Sequence, residues 1–371
     1  MIVSIWRATR ALAAVGAGLL ALQALPAQAQ SYTITNLVSD GSVPAATIDP
    51  GLINPWGISY GPGGNPFWVS DNNSGLTTLY DGAGNKIPLN VAIPPPAGQS
   101  GLGTPTGQVF NIAPHVFHVT SGGKTAPALF LFSTEDGVIA GWAPRVNFGN
   151  AIVAVDNSTE GAVYKGLAIG AVNKQYYLYA ANFRAGDVEM FNEHYHLVKT
   201  FSDPTVPRGY APFNVQNIGG TLYVTFAKQD AAKHDDAAGP GRGFVDAFSL
   251  DGTFKQRLVS HGPLNSPWGL AIAPAGFGDF AGDLLVGNFG DGWINAFDPN
   301  TGAYKGALKD ASTGNPIAIG DLWGLIVGGG GSSGDPNTIY FAAGVSEEAH
   351  GLFGSIALAS ATTTAAKPAS H

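Results

Sequence analysis

The stretch 264–302 alternates short apolar runs with tight polar turns. Pro267-Trp268-Gly269 leads into an apolar run at 270–273, and a Gly-rich turn separates it from a second run at 283–287. The corner Asn288-Phe289-Gly290-Asp291-Gly292 precedes a third run at 293–297, which ends in the turn Asp298-Pro299-Asn300-Thr301-Gly302. Short apolar runs bounded by Gly, Asp, Asn and Pro predict antiparallel strands joined by turns.

The same order of parts recurs along the chain. Asn54-Pro55-Trp56-Gly57 opens a first copy, with further strands at 67–70 and 76–80 around the corner Asp71-Asn72-Asn73-Ser74-Gly75. Pro105-Thr106-Gly107 opens a second, with strands at 128–132 and 138–142 and an insertion at 114–124. Tyr164-Lys165-Gly166 opens a third, with strands at 177–180 and 188–191. The fourth begins at Ala211-Pro212-Phe213-Asn214, and a polar excursion at 228–242 separates its strands at 222–226 and 244–248. The stretch 264–302 is the fifth copy, and Asp321-Leu322-Trp323-Gly324 starts the sixth, with strands at 338–342 and 353–358.

The sixth copy has no fourth strand of its own, while the alternating segment 32–38 precedes the first copy without a partner. Pairing the two closes a ring and protects the sheet edges. The predicted fold is all-β: a six-bladed β-propeller over residues 30–359, with the N-terminal strand completing the last blade.

Composition narrows the class. Of 371 residues, 45% are hydrophobic, enough for a large core, and Gly 52 with Pro 25 suits a chain built of hairpins. Charged residues are only 12%, with a formal net charge of −8, which argues against nucleic acid and anionic membranes as partners. Residues 1–29 read as a signal peptide: Arg7 and Arg10, an apolar core at 11–22, then Ala27-Gln28-Ala29. That core is shorter than the roughly 20 residues that span a bilayer, so no membrane span is expected in the mature chain. Cleavage removes both arginines and no acid, which leaves −10 rather than −8. The absence of cysteine removes disulfides, thiolate metal sites and a Cys nucleophile, and suits a bacterial periplasmic or secreted protein. Residues 360–371 read as a disordered tail.

The openings at Pro55 and Pro267, Leu322-Trp323-Gly324, and the Ser-Thr-Glu-Asp-Gly-x-Ile-x-Gly-Trp segment at 133–142 resemble a family of exported bacterial proteins. That family sits among the NHL-repeat and TolB-like six-bladed propellers, and some relatives carry a PEP-type C-terminal sorting signal, which has no counterpart at 360–371. The resemblance implies the propeller and export, and carries no assigned activity.

In such a blade the first strand lines the channel, and its opening shares a face with the corner between the second and third strands. Trp56, Asp71, Asn72, Glu135, Asn182, Arg184, Trp268, Asn288, Asp291 and Trp323 therefore fall on one face, the expected ligand-binding side. Aromatic rings there would stack on a small molecule, a glycan or a protein, and amides would orient it. Alternatively, carboxylates and amides of this set would hold Ca²⁺ in a metal-dependent hydrolase or lyase, as in related six-bladed lactonases that polarise an ester carbonyl with a metal. The same residues also have a purely structural reading, with Asn and Asp capping corners and Trp packing between blades. Asp81, Asp251 and Asp298 fall at turns on the other face and read as scaffold. His194 and His196 suit Zn²⁺ or Cu²⁺ but lie at such a turn. His234-Asp235-Asp236 reads as a solvated loop that could lie over the mouth as a lid. Gly328 to Gly331 lacks the Lys-Ser/Thr of a phosphate loop, and neither a Gly-x-Ser-x-Gly elbow nor a His-Glu-x-x-His helix occurs.

Overall fold

A computed structural model describes residues 30–360. The signal segment at 1–29 lies outside them, as does the expected tail apart from Ser360. Apart from two short 3-10 turns, the regular structure among the described residues is entirely strand. Six sheets follow one another in chain order, each antiparallel and meandering, with its first strand innermost. The inner strands are Pro55–Ser59, Pro105–Phe110, Tyr164–Val172, Tyr210–Ile218, Pro267–Ile272 and Leu322–Val327, for blades one to six.

The ring closes as the orphan strand requires. Tyr32–Ser39 pairs antiparallel with Leu352–Leu358, and Thr47–Ile48 adds a short parallel bridge outside it. Middle strands such as Phe67–Asp71, Phe130–Thr134 and Val138–Trp142 are buried along their whole length, because each blade is sandwiched between two others. That is why the chain shows continuous apolar runs here rather than strict alternation. The strand expected at 128–132 is displaced to Phe130–Thr134 because Ala128 is tied to the insertion through its bond to Phe117 O. The insertion itself is a small hairpin, His118–Ser121 with Lys124–Pro127.

The Trp-Gly openings have a packing cause. A Cβ on Gly57 would lie 2.5 Å from Thr106 O, on Gly107 2.3 Å from Leu167 N, on Gly269 2.6 Å from Trp323 O and on Gly324 2.4 Å from Trp56 O. Each glycine lets one inner strand press against the next around the ring, and Gly324 against blade one completes the circuit. Blade four has Asn214 at this position, and its Nδ2 bonds Trp268 O at 2.7 Å in the neighbouring blade.

The residues just before these positions are Trp56, Thr106, Lys165, Phe213, Trp268 and Trp323. Four of them form an aromatic plug with Phe183 and Phe289. Trp56 stacks on Trp323 at 3.4 Å between ring centroids, and Trp268 meets both edge-on. Large rings fill a channel too wide for aliphatic side chains, and the plug separates its two mouths.

Candidate functional site

On the corner side of the plug sits Lys165, with 1% of its side chain exposed. It occupies the slot that Trp, Phe or Thr fills in the other blades. Its Nζ bonds Glu135 Oε1 from blade two and lies 3.0 Å from Asp235 Oδ1 of blade four. The same ammonium stands 5.1 Å from the centroid of the Trp56 ring, a cation–π contact from the plug below. Burial alone would lower the lysine's pKa, but the two carboxylates outweigh it and hold the group above its ordinary value. Asn72 Nδ2 orients Glu135 by donating to Oε2 at 2.8 Å.

Asp235 comes from the polar excursion. That segment is ordered by bonds such as Asp230 N to Asp235 O and Ala237 N to Lys228 O, and it covers the mouth. It is therefore a lid rather than a solvated loop, drawn down by a buried positive charge on another blade. Although Asp235 stays 64% exposed, Glu135 is only 11% exposed, so one of the two lysine pairings faces solvent.

Blade six contributes Glu348. At this corner Ser346, Glu347 and Glu348 have φ of 63°, 57° and 63°, a run of three left-handed non-glycine residues. The corresponding corners of blades one, two, three and five reach this region through Gly75, Gly137, Gly186 and Gly292. Such a run costs about 1–2 kcal/mol per residue. It is held by Glu347 N to Asp321 Oδ2 and by Asn73 Nδ2 to Glu348 O, both at 2.8 Å. Asn54 Nδ2 donates to Glu348 Oε2 at 2.7 Å. Burial, reinforced by Glu135 and Asp235, raises the Glu348 carboxyl to about 7 against the pull of Asn54 and Lys165.

Of the residues expected to meet ligand, Asn72 and Glu135 do converge on this mouth. The three tryptophans lie beneath it with at most 4% exposed, so they form its floor and cannot offer open stacking faces. That corrects the expectation of rings presented at the surface: their side chains point into the channel and pack on one another. Asn182 bonds Glu189 within blade three. Asn288 and Asp291 bond each other and their own corner. Asp71 is enclosed in blade one, where burial pushes its carboxyl well above the ordinary range. Arg184 is exposed and joins nothing among the described residues. Among the described residues the calcium expectation has one group to stand on: Glu135, His234 and Asp235, with ligand atoms within 4.8 Å of one another. Both of those carboxylates already hold Lys165. The residues that sequence reasoning missed are Lys165, Asn54 and Glu348. A lysine in a slot otherwise filled by Trp, Phe or Thr was the signal for the first.

On the other side of the plug the channel opens into a cavity of about 210 Å³. Six blades around a plugged channel, the last closed by the N-terminal strand, define a six-bladed β-propeller. No family model matches the chain. It is 37% identical over 337 residues to Uncharacterized protein R648 of Acanthamoeba polyphaga mimivirus, covering 88% of this chain and 80% of that protein. To Uncharacterized protein L690 of the same virus it is 36% identical over 336 residues, 88% and 86% of the two chains. The chain belongs to the family of these two proteins. Among solved structures, the soluble aldose sugar dehydrogenase of Escherichia coli in its apo form superposes with a TM-score of 0.51 at 10% identity. The match covers 88% of this chain and 99% of that one, and bears on the fold alone.

Proposed function

We propose that the protein is an exported ligand-binding propeller of NHL type, whose corner-side mouth takes a small carboxylate in place of Asp235 on Lys165. The observation that carries this reading is the enclosed ammonium shared by a largely covered and an exposed carboxylate. An enclosed ammonium costs several kcal/mol unless well paired, so it persists where pairing is supplied. The exposed half of that pairing comes from a lid and is open to exchange. Replacing one carboxylate by another leaves the local charge unchanged, whereas a neutral ligand would leave Lys165 half-paired. The strained turn that positions Glu348 also fits a working mouth, since such backbone gathers at functional sites. Export rests on the pattern at 1–29.

The test is a titration with acetate, lactate and succinate, read by tryptophan emission, because Lys165 borders the plug, and by thermal shift. Saturable binding is expected in the wild type, lost in Lys165→Met and strengthened in Asp235→Asn, where the internal competitor is weakened. Binding that survives Lys165→Met, or none with any carboxylate, contradicts the reading. A metal-dependent, lactonase-like hydrolysis is the second reading, favoured by the Glu135, His234 and Asp235 group. It requires Lys165 to leave those carboxylates, and it predicts a Ca²⁺-dependent thermal shift that chelator reverses.

A further inference from the structure

The cavity on the opposite side of the plug differs in chemistry from the corner mouth. Its polar lining is built from Ser59 and Tyr60 of blade one, Gln108 of blade two, and Asn214, Gln216 and Asn217 of blade four, with the Phe110 ring beside them. Of the residues lining it, Tyr60 alone has an ionisable side chain, and burial raises its pKa, so the cavity is uncharged at neutral pH.

Several of these groups are only partly used by the protein. Gln108 Nε2 donates to Gly57 O at 2.7 Å and to Trp68 O at 2.6 Å, which fixes the amide, yet its Oε1 has no partner although the residue is 95% buried. Ser59 Oγ is likewise buried without a partner. The Gln216 amide makes no hydrogen bond to the described residues, while Asn217 beside it is anchored by Nδ2 to Ile169 O at 2.8 Å. The Gln108 and Ser59 oxygens are closed off from the cavity, whereas the half-buried Gln216 amide is open to it. Each inner strand also pairs on one side only, leaving backbone donors and acceptors along its channel edge.

We infer that this cavity is a second binding site, for a neutral polyhydroxylated molecule of monosaccharide size. A hydroxyl both donates and accepts, so a ring of hydroxyls meets both ends of the Gln216 amide and the mixed donors and acceptors of the strand edges together. The Phe110 and Tyr60 rings provide an apolar wall for the C–H face. A carboxylate or ammonium would lose its hydration there with no opposite charge to meet it. The site does not depend on Lys165 or the lid, which lie beyond the plug.

The test is calorimetric titration of the full-length protein with D-galactose, D-glucose and myo-inositol, and with D-gluconate and D-glucosamine as charged counterparts. Sugars and cyclic polyols are separate arms, and binding of either supports the site. The neutral compounds are expected to bind at least about tenfold more tightly than the charged ones. Gln216→Leu, which removes no bond within the protein, is expected to weaken them roughly tenfold, the scale of one hydrogen bond. Lys165→Met is expected to leave them unchanged. The inference is overturned if the neutral compounds give no saturable heat at millimolar concentration. It is equally overturned if charged analogues bind as well, if Gln216→Leu has no effect, or if Lys165→Met abolishes binding.

Discussion

The two mouths of the channel are framed by the same six inner strands, yet one gathers Lys165, Glu135, Asp235 and Glu348 while the other presents amides and hydroxyls. The corner mouth is built by loops, which bring carboxylates from blades two, four and six to a lysine on the inner strand of blade three. The opposite mouth is built by strand ends, where side chains are fixed by register and polar groups pair with neighbouring backbone. Between them the tryptophan plug acts as a partition. In this ring the carboxylates follow the loops, while the repeat supplies the wall and, in one altered slot, the lysine they gather around.

The largest effect is expected from breaching that partition. Trp323→Ala removes a ring that stacks on Trp56 and donates to Asn54 Oδ1 at 3.1 Å. It is expected to lower unfolding stability by about 3–5 kcal/mol. Denaturant unfolding measures this, and a loss under about 1 kcal/mol would show that the plug is not packed as described.

The next effect concerns the charged mouth alone. The Glu348 carboxyl is raised from 4.5 to about 7 in the folded protein. The folded state thus holds its proton more tightly than the unfolded state. Stability is fully present below about 4.5 and falls as pH rises towards 7, by on the order of 3 kcal/mol, then levels off. Glu348→Gln is expected to flatten this part of the pH–stability curve; an unchanged slope would place the carboxyl in ordinary solvation.

Smaller effects separate the mouths further. Asp235→Asn loosens a half-exposed pair and is expected to cost under about 1 kcal/mol. Gln216→Leu is expected to change stability by no more than about 0.5 kcal/mol. Thermal melts of the two variants check both figures.

Much of the ring was legible in the chain. The strands at 76–80 and 138–142 match Leu76–Tyr80 and Val138–Trp142, and the orphan segment does close blade six. Repetition made this possible, since each copy showed which parts were invariant in order. The direction of Trp56, Trp268 and Trp323 was less legible, because the Pro-Trp-Gly opening places a ring on the inner strand without saying whether it faces solvent or other rings. The contribution of Asp235 depends on attraction to a lysine 70 residues away in the chain. That of Glu348 depends on a left-handed turn which no glycine announces. Gln108 and Gln216 read as ordinary strand residues, since only the assembled ring shows which amide atoms lack partners.

The latch between Lys165 and Asp235 is tested most directly by amine labelling followed by mass spectrometry. In the wild type Lys165 is expected to stay unmodified while the exposed Lys124 and Lys199 react, and in Asp235→Ala it is expected to become reactive. Labelling of Lys165 as fast as Lys124 in the wild type, or unchanged protection in Asp235→Ala, would contradict an enclosed lysine held under an exchangeable lid.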